Sequence, residues 1–440
     1  MIKGNLKIVF FILFSLTGYF LIAHVFDRTF FWLELSAFGL CFVSYFIFNS
    51  NFRWTIIGLF FVGLFFRLIF IVGEPKLSDD YYRFIWDGKL VANGENPYQS
   101  LPADAESQNG LEKNMHNELM FRMNSPYYYS VYPPIQQLFF ALTGYSQSLP
   151  EALLVLRLLI LIGEILLFIF LIKSVQSQFI SLVSVSWIWL NPLWIIEVNG
   201  NLHFEGWMMT FIAIGIYYLF KQKFWIASIF MGISAGLKMV PLILVPIVKK
   251  WLGFNKAFFI SVLAGIVFVI SISWIFISAQ QDHFFESIDL YYHKFEFNAS
   301  IYFILREIGF YFGDTHPIVY AGYILMPIFS LIYCYLIFSK DSKIAKQYFL
   351  FSALILTSYY LLSTTVHPWY ILPILFFSVL VGKWFGIVWS GLVFLSYSAY
   401  SNNENFYYSI ITIEYFLLFV FMYLEFRTSK IKILPTNDLV

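Results

Sequence analysis

Trp225 to Trp251 reads WIASIFMGISAGLKMVPLILVPIVKKW. Whether this stretch crosses a bilayer once or turns back decides how the rest of the chain is threaded. Lys221 and Lys223 precede it, and Lys249 and Lys250 close it. A single crossing would put one basic cluster on each side of the membrane, against the tendency of Lys and Arg to collect on the cytoplasmic side. Lys238 and Pro241 supply another solution, because proline removes a backbone donor and clashes with the preceding turn. Two short helices broken around these residues would return the chain to the side it left. A re-entrant pair is therefore expected over 225–251. It carries Lys238 into the membrane or to its outer edge, where a lysine is costly and calls for a partner or a ligand.

The surrounding composition requires a membrane. Of 440 residues, 60% are hydrophobic and 12% charged, against about 25% charged in a soluble domain. Apolar runs near twenty residues, the length that spans a hydrocarbon core of roughly 30 Å, are expected near 8–25, 30–48, 54–72, 151–172, 179–197, 205–220, 257–278, 318–338, 348–366, 369–382, 384–400 and 408–426. The predicted fold is an all-α polytopic membrane protein, one domain over 1–440. It is a bundle of about 12 spans plus the re-entrant pair, with amphipathic helices in an extracytoplasmic loop. With both termini cytoplasmic, Lys3, Lys7, Arg53, Lys173, Lys221, Lys223, Lys249, Lys250, Lys256, Lys340, Lys343, Lys346, Lys383, Arg427, Lys430 and Lys432 gather inside, and the long loops 73–134 and 279–317 fall outside. The first run lacks a small-x-small cleavage site and is read as a span rather than a signal peptide. A net charge of +1 gives no field for nucleic acid. Neither a Walker pattern nor Gly-x-Gly-x-x-Gly occurs, so ATP-driven transport has no support. Cys41 and Cys334 lie in apolar runs and read as packing residues.

The first outer loop opens with SDDYYRFIWDGKLVANGENPY, Ser78 to Tyr98. Ser78 suits an N-cap and Asp79 and Asp80 the first turn, where carboxylates meet the helix dipole. Apolar residues then recur at three and four, giving an amphipathic helix expected to lie on the outer membrane surface. Arg83 and Asp87 are four apart and able to pair. Gly94 ends the helix and Asn96-Pro97 turns the chain. Both aspartates capping the helix is the plain reading. One cap suffices, however, which leaves a carboxylate available as a general base for an attacking hydroxyl.

Three further clusters fall on the outer side. LNPLWIIEVNGNLHFEGW, Leu190 to Trp207, brings Glu197, His203 and Glu205 into what reads as a short outer loop, suited to sugar hydroxyls, a divalent ion or a phosphate. STTVHPWYILP, Ser363 to Pro373, places His367 at an outer turn, with Trp369 and Tyr370 as interfacial anchors. The second outer loop supplies Arg306, and YYYSVYPPIQQ in the first supplies aromatic rings. Bases at Asp79 and Asp80 with cations at Arg83, Lys238 and Arg306 suit transfer from a lipid-linked phosphate donor. There the attacking hydroxyl needs a base and the leaving phosphate needs positive charge.

The ordered motifs DD…R…G-x-NPY…YPP, NP…E…GN-x-H…E, K-x-VP and HPWY, from about Asp79 to Tyr370, resemble the integral-membrane GT-C glycosyltransferases. The resemblance is nearest to the bacterial mannosyltransferase-like branch, which uses polyprenyl-phosphate mannose, and more distant to the GPI mannosyltransferase catalytic subunit. It implies inverting transfer of a hexose, mannose above all, from a polyprenyl-phosphate sugar to a lipid or glycan acceptor at the outer face of the cytoplasmic membrane. It further implies that the acidic motif supplies the base, Asp80 by the count used in the mannosyltransferase branch and Asp79 by the count in more distant members. Lys238 is implied to stand near the donor phosphate. No cofactor is assigned, and a divalent cation stays open. Two other functions fit the spans: a flippase for a lipid-linked sugar, which should show two matching broken-helix halves where only one is found, and a non-catalytic subunit of a glycan-assembly complex, which has no use for clustered outer charges.

Overall fold

The computed structural model describes residues 2–104, 113–293, 295–313, 316–340, 343–401 and 403–427. Residues 105–112 of the first outer loop, Lys294 of the second, and Lys430 and Lys432 lie outside them. Among the described residues the regular elements are all helical, and the only β-type pairing is an isolated parallel bridge between Phe297 and Thr365. In order, α1 is Ile2–Phe20, continued by a wider turn to Val25; α2 is Phe31–Asn51 and α3 Ile56–Leu68. Three helices of the first loop follow: α4 Asp80–Ala92, α5 Lys113–Arg122 and α6 Pro134–Ala141. Then come α7 Leu149–Gln176, α8 Leu182–Trp189, α9 Pro192–Trp194, α10 Glu205–Phe220 and α11 Phe224–Leu237. The second half holds α12 Lys249–Leu252, α13 Phe254–Ile277, α14 Gln281–His293, α15 Ile301–Tyr311 and α16 Pro317–Phe338. It ends with α17 Ala345–Leu361, α18 Leu372–Leu380, α19 Phe385–Leu392 and α20 Glu404–Arg427.

Six of these helices are long and apolar enough to cross a membrane, and five shorter apolar helices accompany them. Among the short ones α10, with 16 residues and a length of about 24 Å, is mostly buried by its neighbours, whereas α3 leaves Ile57, Phe61 and Phe65 exposed. The expected span 179–197 is not one helix. Asn191 and Pro192 interrupt it, the Asn191 side chain capping the next turn by accepting the Trp194 N–H at 3.2 Å. A wide turn then runs through Ile195–Gly200.

The stretch 225–251 breaks where proline forbids a helix. α11 stops at Leu237, Lys238 is extended (φ −145°, ψ 132°), and tight turns around Pro241 and Pro246 lead to α12. Its two ends sit together. The rings of Phe220 and Trp251 lie 4.4 Å apart, Phe220 stacks on Phe179 at 4.2 Å, and Lys256 lies 5.1 Å over Phe224. Lys250 donates to the Ser339 carbonyl and hydroxyl just past α16. Lys221, Lys249, Lys250 and Lys256 thus gather at one end of the bundle, and Lys238 and Glu205 lie toward the other.

Two charges missed in the sequence tie the first half together within the apolar interior. Arg67 on α3 donates to Glu164 on α7 at 2.8 and 3.0 Å, both side chains fully buried. Arg67 also reaches the Gly63 and Trp189 carbonyls and lies 3.5 Å over the Trp189 ring, while Trp194 Nε1 donates to Glu164 at 3.0 Å. Removing one partner of such a pair strands a buried charge, whereas removing both does not. Arg67→Met and Glu164→Leu are each expected to cost about 3–5 kcal/mol in thermal unfolding in detergent. The double variant should cost less than either, and a double variant as damaging as the sum would contradict this coupling.

Candidate functional site

α4 is not a surface helix. Every residue from Tyr81 to Leu90 is buried, because loop groups rather than water satisfy its charges. Arg83 pairs with Asp87 at 2.7 Å, as the i,i+4 spacing predicts, and donates to the carbonyls of Tyr128 (2.7 Å) and Ser125 (3.2 Å). Asp87 accepts from Ser130 Oγ at 2.5 Å and Gln137 Nε2 at 2.9 Å, and Lys89 Nζ reaches the Ser146 carbonyl at 2.8 Å. Gly88 lets α6 come close, since a Cβ there would stand 2.1 Å from the Phe140 carbonyl oxygen. Gly94, at φ +77°, follows the end of the helix as expected, and Asn96 Oδ1 accepts the Tyr98 N–H.

The start of α4 differs from the sequence reading. Asp79, not Ser78, holds the N-cap position, and its side chain caps nothing; it is ion-paired with Arg28. Ser78 Oγ instead accepts the Asp80 N–H at 3.3 Å. Asp80 lines a cavity of about 650 Å³, where Asn124 Nδ2 donates to its Oδ1 at 2.9 Å. Burial there pushes the Asp80 carboxyl above its ordinary value, opposed by the Asn124 hydrogen bond and by the charge of Lys238.

Lys238 lies across the same cavity, ion-paired with Glu205 at the first turn of α10. The break after α11 frees Lys238 from a helical face and turns its ammonium group to the cavity. Glu205 Oε2 and Arg83 Nη2 are buried and hydrogen-bond to nothing in the protein, as are both amide atoms of Gln136, and all three residues line the cavity. Buried polar atoms in such a state cost about 1–3 kcal/mol each unless something pairs with them, so this wall has spare hydrogen-bonding capacity. Apolar side chains supply much of the remaining lining: Met208, Leu242, Ile243, Met326 and Phe329.

His367, Trp369, Thr364 and Thr365 close a third side. Trp369 is sandwiched between two imidazoles, His203 at 3.6 Å and His367 at 4.3 Å, and Phe297 continues the stack at 4.8 Å. Burial, reinforced by Lys238, drives His367 down to about 3 and His203 well below its usual value, so both are neutral at physiological pH.

The other predicted site residues divide. Arg83, Lys238, Glu205, His367 and Asp80 line the cavity; Asp79, Glu197, His203 and Arg306 do not. The loop carrying Glu197 and His203 is wholly buried rather than an exposed hairpin. Glu197 accepts from Tyr397 (2.7 Å) and Asn201 (3.0 Å) and stands 3.5 Å from His203 Nε2, behind Trp369. Arg306 is held away by Glu296 at 2.6 Å, Glu307 at 2.8 Å and the Tyr408 hydroxyl. Sequence reasoning missed Arg28, Asn124 and Gln136. Only Gln136 had a signal, its place after the YYYSVYPP run. Among the described residues no three His, Cys, Asp or Glu side chains gather so as to hold a metal ion.

Residues 57–253 match the MptA_B family, described as alpha-(1->6)-mannopyranosyltransferase, N-terminal domain. No curated protein sequence matches the chain. The matched segment contains Asp79, Asp80, Arg83, Glu205 and Lys238, while His367 and Trp369 lie beyond it.

With His367 held near 3, its ring signals, assigned by loss in His367→Gln, should show no titration between pH 5 and 8 in nitrogen-15 NMR. A midpoint near 6.5, the ordinary value, would contradict the buried neutral ring.

Proposed function

We propose that this chain, a glycosyltransferase of the alpha-mannosyltransferase family on the match over residues 57–253, transfers mannose from a polyprenyl-phosphate donor to a lipid or glycan acceptor at the outer face of the cytoplasmic membrane. The observation that carries the reading is the convergence of Asp80 and Lys238, distant in sequence, on one cavity lined by both polar and apolar side chains. Asp80 takes the proton of the attacking acceptor hydroxyl as its oxygen bonds to the anomeric carbon. The bond from that carbon to the phosphate oxygen breaks on the opposite face, which inverts the centre. Lys238, held by Glu205, and the free Nη2 of Arg83 stabilise the departing phosphate, since fixed positive charge in a water-poor site favours developing negative charge. The apolar side chains of Met208, Leu242, Ile243, Met326 and Phe329 accommodate the first isoprene units. The raised Asp80 carboxyl supports a base that works nearer neutral pH.

The sidedness of this reading rests on charge. Lys221, Lys249, Lys250 and Lys256 gather at the end of the bundle away from the cavity, and basic residues favour the cytoplasm. Both termini are then cytoplasmic and the cavity faces outward.

The test is transfer by the purified protein in nanodiscs, with polyprenyl-phosphate mannose carrying a radiolabel and octyl α-mannoside as acceptor. Asp80→Asn should lower kcat at least ~100-fold, in the range for loss of a general base, with thermal unfolding unchanged within a few degrees. Lys238→Gln should lower kcat more than it alters KM, because its charge acts on the leaving group. Full activity of Asp80→Asn would refute the base assignment. Transfer from a nucleotide sugar, but not from the lipid-linked one, would refute the donor class.

A further inference from the structure

Arg28 belongs to the short loop between α1 and α2, far in sequence from every motif discussed above. Its guanidinium ion-pairs with Asp79 and lies 4.5 Å over the ring of Tyr400, near the end of the turn that follows α19. The two side chains of the pair are 25% and 28% exposed, so water screens the contact only in part. Two consecutive carboxylates are thereby sent to different partners, Asp79 to Arg28 and Asp80 to Asn124 in the cavity.

Adjacent anions disfavour one another's ionised forms, and a cation beside one of them relieves the other. An Asp79 carboxylate released from Arg28 has nearby alternatives: the unmade cap at the N-terminus of α4, or the donors that serve Asp80. We propose that Arg28, seated on Tyr400, is a positioning residue for Asp80: it binds Asp79, matches the negative charge beside the base and fixes the start of α4 against the cavity. The proposal rests on the reading of Asp80 as the base. The charged and titratable groups around Asp80 are Asp79 and Arg83 on its own helix, Lys238, Glu205 and the neutral His367 in the same cavity, Arg28 and Tyr400 beside Asp79, and Glu197 behind the lining; Asn124 is a neutral donor. Of these only Arg28 and Asp79 form a pair that can be broken without touching the cavity lining.

Charge alone fixes the signs. Arg28→Ala leaves Asp79 uncompensated and makes Asp80 harder to ionise, so its titration moves to higher pH. Asp79→Asn leaves the Arg28 cation unmatched and moves it to lower pH. The double variant removes both charges and should lie between, near the unmodified protein, and Arg28→Lys should behave as the unmodified protein does. The full-length protein in nanodiscs would be titrated by infrared difference spectroscopy, with the carboxyl band assigned by its loss in Asp80→Asn. The acid limb of kcat/KM for octyl α-mannoside would be recorded in parallel. Opposite shifts of roughly half a unit to one unit are expected in both readouts. A merely structural role predicts lower thermal stability with no shift or with shifts of one sign, and either result overturns the proposal. If Arg28→Ala does not fold, Asp79→Asn and Arg28→Lys decide it: a downward shift and no shift, or the proposal falls. If Asp80→Asn keeps full transfer, the base reading fails by itself, and the infrared titration still reports whether Arg28 and Asp79 govern Asp80.

Discussion

A lysine placed where a helix has to stop sets the geometry of this molecule. At Lys238 the chain leaves α11 in an extended conformation, and Pro241, whose ring would clash with the Leu237 carbonyl of a continued helix, instead opens a tight turn over Val240–Leu244. A cation in so apolar a bundle would cost several kcal/mol without a partner. Glu205 supplies one from the first turn of α10, a position where the helix dipole also favours a carboxylate. The ion pair joins the ends of two antiparallel neighbours and makes the turning point of the chain one wall of the cavity. It is balanced in charge yet incomplete in hydrogen bonding, since Glu205 Oε2 has no protein partner. The break that brings the two ends of the 225–251 stretch together therefore also leaves polar capacity facing the cavity.

α4 solves the related problem of burying many charges in one short helix. Arg83, Asp87 and Lys89 are tied to each other, to Ser130 and Gln137, and to carbonyls of the 125–128 and 144–146 segments. Each tie satisfies a group whose exposure would otherwise hold the helix at the water interface. The result is a rigid mount in which Asp80 is presented at the N-terminus from a helix fixed at Gly88 and Asp87. In the reaction proposed above, a carboxylate whose position is set by this many buried contacts would need little reorganisation to meet an incoming hydroxyl.

What could be read from the sequence was what depends on neighbours in the chain. The apolar runs, the break at Lys238 and Pro241, the Arg83–Asp87 spacing and the Gly94 turn all rest on contacts within a few residues. What could not be read depends on partners far away. Asn124 reaches Asp80 across 44 residues, Arg67 meets Glu164 across 97, and Tyr397 reaches Glu197 across 200. Glu197 and His203 looked like loop residues because nothing local buries them; the segment is covered by Trp369 and Tyr397 from the far end of the chain. Arg67 and Glu164 did carry a signal, as single charges in apolar runs that call for one another, although their pairing needed the fold.

The cavity is not the property of the matched segment alone. Its third side comes from residues 363–370, and that strip is aligned by its bridge to Phe297. Asn298, next to the bridge, adopts φ +48°, a left-handed conformation that Asn tolerates better than most residues. It is held there by its own hydrogen bonds: its N–H to the Tyr407 hydroxyl at 2.6 Å, its carbonyl from the Tyr415 hydroxyl at 2.6 Å, and its side chain to Glu414 at 3.3 Å. All three partners lie on α20. The last helix thus sets the place of Phe297, Phe297 sets His367 and Trp369, and Trp369 packs against His203 in the matched half. A segment ending at residue 253 carries the acid, the lysine and the polar wall, but it closes into a cavity only when the remainder of the chain supplies this stack.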